Sequence, residues 1–168
     1  MAEYGAYSLP GNQGRTGTTK TNQDSVFIAN ITPEGRTLLA KEQLKMNKDN
    51  PKSDWLVCAA DGHGANGHFA SQYIVKHLPK QFEKEKKRFA TWTHGSGGSE
   101  QDLMTLKEQR IHNALVTSFL TVQQGLEEQQ TFDCMLSGST VVVAYLHEKT
   151  MYFANAGDSR GIVIGQTV

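Results

Sequence analysis

The stretch Trp55-Leu56-Val57-Cys58-Ala59-Ala60-Asp61-Gly62-His63-Gly64 decides how the rest of the chain is read. Its first six residues form a continuous apolar run with β-branched and aromatic members, which predicts a strand buried on both faces and ending at Asp61. A carboxylate there stands on a rigid element, and the glycines flanking His63 let the backbone turn sharply and approach a ligand closely. Asp-Gly is also a common hairpin dipeptide. Here, however, D-G-H-G follows a buried strand and precedes a helical pattern, which favours an ion site over a turn. Asp61 offers hard oxygens for Mg²⁺ or Mn²⁺, the Gly62 carbonyl offers another, and His63 is a proton donor beside them.

Two more carboxylates stand at strand borders. Toward the N-terminus, Asn22-Gln23-Asp24 leads into the apolar run Ser25–Ala29. Toward the C-terminus, Ser137-Gly138-Ser139-Thr140 opens Val141–Leu146, Glu148-Lys149 turns the chain into Met151–Ala154, and Asp158 follows before a further strand at Ile162–Ile164. The 141–154 segment predicts a hairpin. Between these strands, Phe69, Tyr73, Ile74, Leu78 and Phe82 recur at helical spacing, predicting an amphipathic helix over 66–88, bent at Pro79. A second helix is predicted over 101–130, with Leu103, Leu106, Ile111, Leu115, Phe119, Val122 and Leu126 as its stripe, and both stripes are read as sheet-facing core.

Tyr4–Ser8 suit a first, edge strand ended by Pro10 and Gly11. The loop GNQGRTGTTKT that follows is not a phosphate-binding P-loop, because that motif needs Gly before its Lys and Thr19 stands before Lys20. Residues 32–53 read as a variable polar connection holding a brief helix over Leu38–Met46, and residues 93–100 as a second variable, flexible connection.

A length of 168 residues suits one well-cored domain. Seventeen basic and seventeen acidic residues leave no net charge, hence no basic field for nucleic acid or anionic lipid. The dense basic run Lys84–Arg88 reads as a solvated helix end. Cys58, inside an apolar strand, and Cys134, between two elements, read as reduced thiols. The N-terminus lacks a secretory pattern and a myristoylation signal, and no stretch is long and apolar enough for a membrane span. A cytoplasmic or nuclear protein is expected, of unspecified oligomeric state.

Four stretches in order, N-Q-D-S at 22–25, D-G-H-G at 61–64, S-G-S-T at 137–140 and N-A-G-D-S-R-G at 155–161, resemble consecutive signatures of the metal-dependent protein serine/threonine phosphatases of type 2C, the PPM family. The resemblance implies an α+β fold, a βα-sandwich of two antiparallel sheets flanked by helices. It implies hydrolysis of phosphoserine and phosphothreonine in proteins by a dinuclear Mn²⁺ or Mg²⁺ centre with a metal-bound water as nucleophile. By the same resemblance Asp61 would bridge two ions, Gly62 would offer its carbonyl to one, Gln23 would approach that ion and Asp24 would order bound water. Asp158 would serve a further, weaker position, and His63 would protonate the leaving oxygen.

Two positions depart from the family pattern. Gln23 replaces a frequent Glu, and Thr19 stands where a phosphate-binding Arg is usual, leaving Arg15 and Lys20 as candidate phosphate-binding cations. The family's later signatures have no counterpart here, so residues 1–168 read as the N-terminal part of a catalytic domain, expected to be inactive alone. The alternative is a catalytically silent phosphatase-like binding module or truncated regulatory fragment.

Overall fold

The computed structural model describes residues 8–10, 19–31, 37–39, 54–92 and 105–165. The apolar run 55–60 lies in the central strand β3 (Asp54–His63), which pairs antiparallel with β1 (Asp24–Ile31) on one side and β5 (Val141–His147) on the other. The sheet runs β2-β1-β3-β5-β6, where β2 is Thr37–Leu39 and β6 is Thr150–Ala156, and a two-residue β4 (Gly138–Ser139) pairs with the end of β3. Helices α1 (Gly67–Phe89) and α2 (Leu106–Glu128) complete an α+β architecture.

Antiparallel sheets covered on one face alternate buried and exposed residues, and β3 does so. Leu56, Cys58 and Ala60 are buried, whereas Val57, Ala59 and Asp61 are exposed. The expected burial on both faces is therefore corrected: the helix pair covers one face, and among the described residues no second sheet covers the other. The strand also continues past Asp61 to His63, because β4 extends the ladder opposite Gly62 and His63.

The helices pair along their lengths, and Ile74, Leu78 and Phe82 of α1 join Ile111, Leu115 and Val122 of α2 in one core with the covered sheet face. Phe82 meets the fully buried Tyr145 edge-on, with ring centroids 4.8 Å apart. Helix α1 runs through Pro79 without a break in its helical span. Helix α2 begins where Thr105 and Glu108 form a reciprocal capping box, Glu108 N–H donating to the Thr105 hydroxyl and Thr105 N–H to the Glu108 carboxylate.

The 141–154 hairpin forms as expected. It turns at Glu148-Lys149, with Glu148 in the left-handed region at φ 55° and its carboxylate paired with Lys107 at 2.7 Å. The expected helix over Leu38–Met46 is corrected at its start, since Leu38 and Leu39 belong to β2, laddered to Asn30 and Ala29, while residues 40–46 lie outside the described residues. Of the expected strand Tyr4–Ser8, residues 4–7 lie outside as well, as do 32–36, 40–53 and 93–104. Ile162, Val163 and Ile164 belong to no ladder and are exposed. No helix among the described residues is long and apolar enough to cross a membrane.

Candidate metal and phosphate site

Antiparallel pairing determines the first contact of the site. Asp24, the first residue of β1, stands directly opposite Asp61 of β3, and opposed residues share a sheet face with Cβ atoms about 5 Å apart. Burial first, then the like charge of Asp61 and a hydrogen bond to it, push the Asp24 carboxyl above its ordinary value of 3.8, while Lys20 pulls it down. Both aspartates lie at the sheet's exposed face. Two carboxyls brought together without an intervening cation repel each other, and a divalent ion would relieve that repulsion.

The backbone around this pair is locked from several sides. Gly62 N–H donates to the Gln23 carbonyl at 3.1 Å. A side chain at Gly62 would lie 2.2 Å from the Gly67 carbonyl oxygen and 2.6 Å from that of Gln23, so three backbones converge where glycine alone fits. The Gln23 amide donates to the Gly64 carbonyl at 2.7 Å. Thr140 clamps Asp61 itself: its N–H donates to the Asp61 carbonyl at 2.9 Å, and its Oγ1 accepts from Asp61 N–H at 3.2 Å. The same Oγ1 bonds the Ser159 hydroxyl, so Thr140 ties the Asp158 loop to Asp61. Gly157, at φ 95° and packed on Thr140, permits the tight exit from β6.

His63 ends β3 opposite Gly138, where a side chain would come within 3.0 Å of the imidazole. The ring borders a cleft of about 500 Å³ whose walls include Phe119, Leu126, Val141, Cys134 and Ser139. Beyond it, Asn66 N–H donates to the Ser137 hydroxyl at 2.9 Å and its amide to the Asp133 carbonyl at 2.9 Å, docking the D-G-H-G turn on the segment before β4.

The structure thus brings together Gln23, Asp24, Asp61 and Gly62, with His63 two residues beyond Asp61. The Asp158 carboxylate is not brought to this pair: its neighbour Ser159 bonds Thr140, and among the described residues no group of three or more His, Cys, Asp or Glu side chains is placed to hold a metal ion. The donors fit Mg²⁺ or Mn²⁺ in kind, since carboxylate and carbonyl oxygens are what these ions take. Lys20 is exposed, and its charge works against the rise of the Asp24 carboxyl. Arg15 lies outside the described residues. Sequence reasoning missed the positioning work of Thr140 and Asn66. No periodicity signals it, because these bonds span 79 and 71 residues.

The family model described as protein phosphatase 2C matches residues 33–168, leaving Gln23 and Asp24 just outside the matched span. The chain is 28% identical over 131 residues, 77% of its length, to the probable protein phosphatase 2C 72 of Arabidopsis thaliana, covering 37% of that protein. It is 30% identical over 114 residues, 61% of its length, to the probable protein phosphatase 2C 3 of Paramecium tetraurelia, covering 31% of it. To protein phosphatase 2C 1 of Paramecium tetraurelia it is 26% identical over 171 residues, 95% of its length, covering 50% of that protein. The chain therefore spans about a third to a half of these relatives.

Proposed function

Because this chain belongs to the protein phosphatase 2C family, we propose that it supplies the N-terminal part of a serine/threonine phosphatase site dependent on two Mn²⁺ or Mg²⁺ ions. The observation that carries this reading is the register that sets Asp24 opposite Asp61, with His63 two residues further along the same strand. Asp61, Asp24, the Gly62 carbonyl and Gln23 would hold the ions, with Asp158 at a weaker position. The bound metals would supply charge neutralisation at the phosphoryl group and lower the pKa of water. Asp61, held by Thr140 through both its N–H and its carbonyl, fixes the position around which a phosphate is oriented. Lys20, with Arg15, would attract the phosphate. His63 at the cleft edge would give its proton to the departing seryl or threonyl oxygen.

Phosphoproteins are the proposed substrates. Cytoplasm or nucleus is the proposed compartment, on the ground that Cys58 and Cys134 are free thiols. A catalytically silent phosphatase-like binding module or truncated regulatory fragment is the second reading, favoured by the meeting of two carboxylates rather than three among the described residues.

The test uses the protein in which this chain is continued by a C-terminal half, alongside the 168-residue chain alone. Phosphothreonine-peptide hydrolysis is expected in the longer protein with Mn²⁺ and absent in excess chelator, with negligible turnover by the shorter chain. His63→Gln should slow the peptide by about 10²-fold or more, while barely affecting an activated aryl phosphate, whose leaving group needs no proton. Turnover persisting in chelator would overturn the metal reading, and equal losses on both substrates would make His63 structural.

A further inference from the structure

We propose that Ser71 of α1 is a positioning residue whose hydroxyl ties the start of β1 to α1 and, through the Gln23 carbonyl it shares with the Gly62 N–H of β3, holds Asp24 opposite Asp61; the functional meaning of this clamp rests on the reading of those carboxylates as a metal site. Ser71 is fully buried at 0% exposure. Its Oγ lies 2.6 Å from the Gln23 carbonyl oxygen, 3.0 Å from the Ser25 hydroxyl and 3.2 Å from the carbonyl of His68. A serine has one hydroxyl hydrogen. The shortest contact takes it, so Ser71 donates to Gln23 and accepts from Ser25.

That carbonyl also accepts the Gly62 N–H at 3.1 Å. The peptide joining Gln23 to Asp24 is planar, so fixing its oxygen from both α1 and β3 fixes where Asp24 begins. Gly62 and Gly67 press backbone on backbone beside this point, a side chain at Gly67 falling 2.6 Å from the Gly62 carbonyl carbon. Helix α1, strand β3 and the peptide of the site carboxylate therefore meet at one carbonyl, which the Ser71 hydroxyl holds from the helix side. Ser118 of α2 provides the contrast. It is equally buried, yet its hydroxyl bonds the Ala114 carbonyl of its own helix at 2.6 Å and links to nothing in the site.

Amide hydrogen exchange on the metal-free 168-residue chain tests the clamp. Ser71→Ala should speed exchange at Gly62 by about tenfold while leaving Val143 and Tyr145 in β5 protected, because loss of one buried hydrogen bond opens the structure locally. Ser25→Ala should give a smaller acceleration at Gly62, and Ser118→Ala none. Mn²⁺ affinity, read from paramagnetic broadening at Asp24 and Asp61, should fall by about threefold or more in Ser71→Ala and stay unchanged in Ser118→Ala. Wild-type exchange at Gly62 in Ser71→Ala, or equal acceleration in Ser118→Ala, overturns the inference. So does an opened Gly62 with unaltered Mn²⁺ affinity. If Gly62 opens in Ser71→Ala but the unsubstituted chain shows no broadening at either aspartate, the clamp stands and the metal-site reading falls.

Discussion

At the residue scale the fold works against itself at one point, where β1 and β3 set Asp24 against Asp61. Asp24 binds its proton more tightly folded than unfolded, so the penalty for ionising it is present above its folded pKa. As pH falls through the window from that raised value to 3.8 the penalty disappears, and the metal-free protein gains stability relative to a neutral-site variant. Asp24→Asn should therefore stabilise the metal-free chain at pH 7 by about 0.5 kcal/mol, a figure reduced by solvent screening at this exposed pair. The gain should vanish below the window and reverse when Mn²⁺ is added, since a bound cation stabilises the fold that holds it. Urea melts at two pH values, with and without Mn²⁺, check all three signs. No gain at pH 7 would remove the repulsion from the account of the site.

At the element scale, the end of the sheet remote from Asp61 is fastened by a different carboxylate. Asp54, at the start of β3, accepts from Lys86 of α1, from the Tyr145 hydroxyl at 2.6 Å, and bonds His147 Nδ1 at 2.7 Å. Burial pushes the Asp54 carboxyl up, but the hydrogen bonds of Lys86, Tyr145 and His147 outweigh it and hold the carboxyl below its ordinary value. The basic run 84–88 is thus more than a solvated helix end: Lys86 turns in to Asp54, and Arg88 pairs at 3.2 Å with the buried Glu85. Asp54→Ala leaves Lys86 and the Tyr145 hydroxyl without their acceptor, and a loss of about 3 kcal/mol is expected at pH 7. A depressed carboxyl contributes stability above its unfolded value and loses it as pH falls through the folded one. The gap between wild type and Asp54→Ala should accordingly shrink below pH 3.8, as chemical denaturation at pH 7 and pH 3 will report. A gap independent of pH would mean that packing, not charge, is lost.

Across the molecule one sheet face is packed, and among the described residues the other is open. Val57 is 37% exposed, and Met151 and Phe153 are each 44% exposed, next to an outer edge of β6 that no strand among the described residues pairs with. Contiguous apolar surface beside an unpaired strand edge favours association. The chain begins to cover this face, because at Gly161 it passes so close over the Phe153 ring that a side chain there would sit 2.5 Å from it. The 168-residue chain is expected to self-associate, and Val57→Lys to shift it toward monomer without lowering its melting temperature. Sedimentation velocity across a concentration series decides the point, and a wild-type chain that stays monomeric would show that the open face is not adhesive.

Local periodicity and turn chemistry suffice for the strands around 25–29, 55–60, 141–146 and 151–154, for both helices and for the hairpin turn at Glu148-Lys149, so these were legible in the chain before any fold. So were Asp24, Asp61 and His63, since charged and glycine-flanked residues interrupting apolar runs are visible without a fold. That Asp24 faces Asp61 emerges with folding alone, because register is a relation between segments 37 residues apart and no local pattern encodes it. Folding likewise settles that β3 is covered on one face and runs on to His63, since an apolar run reads the same whether one layer or two pack against it. The clamps at Thr140 and Ser71 belong to the same class, as a serine or threonine declares its partner only once distant backbone has been folded up to its hydroxyl.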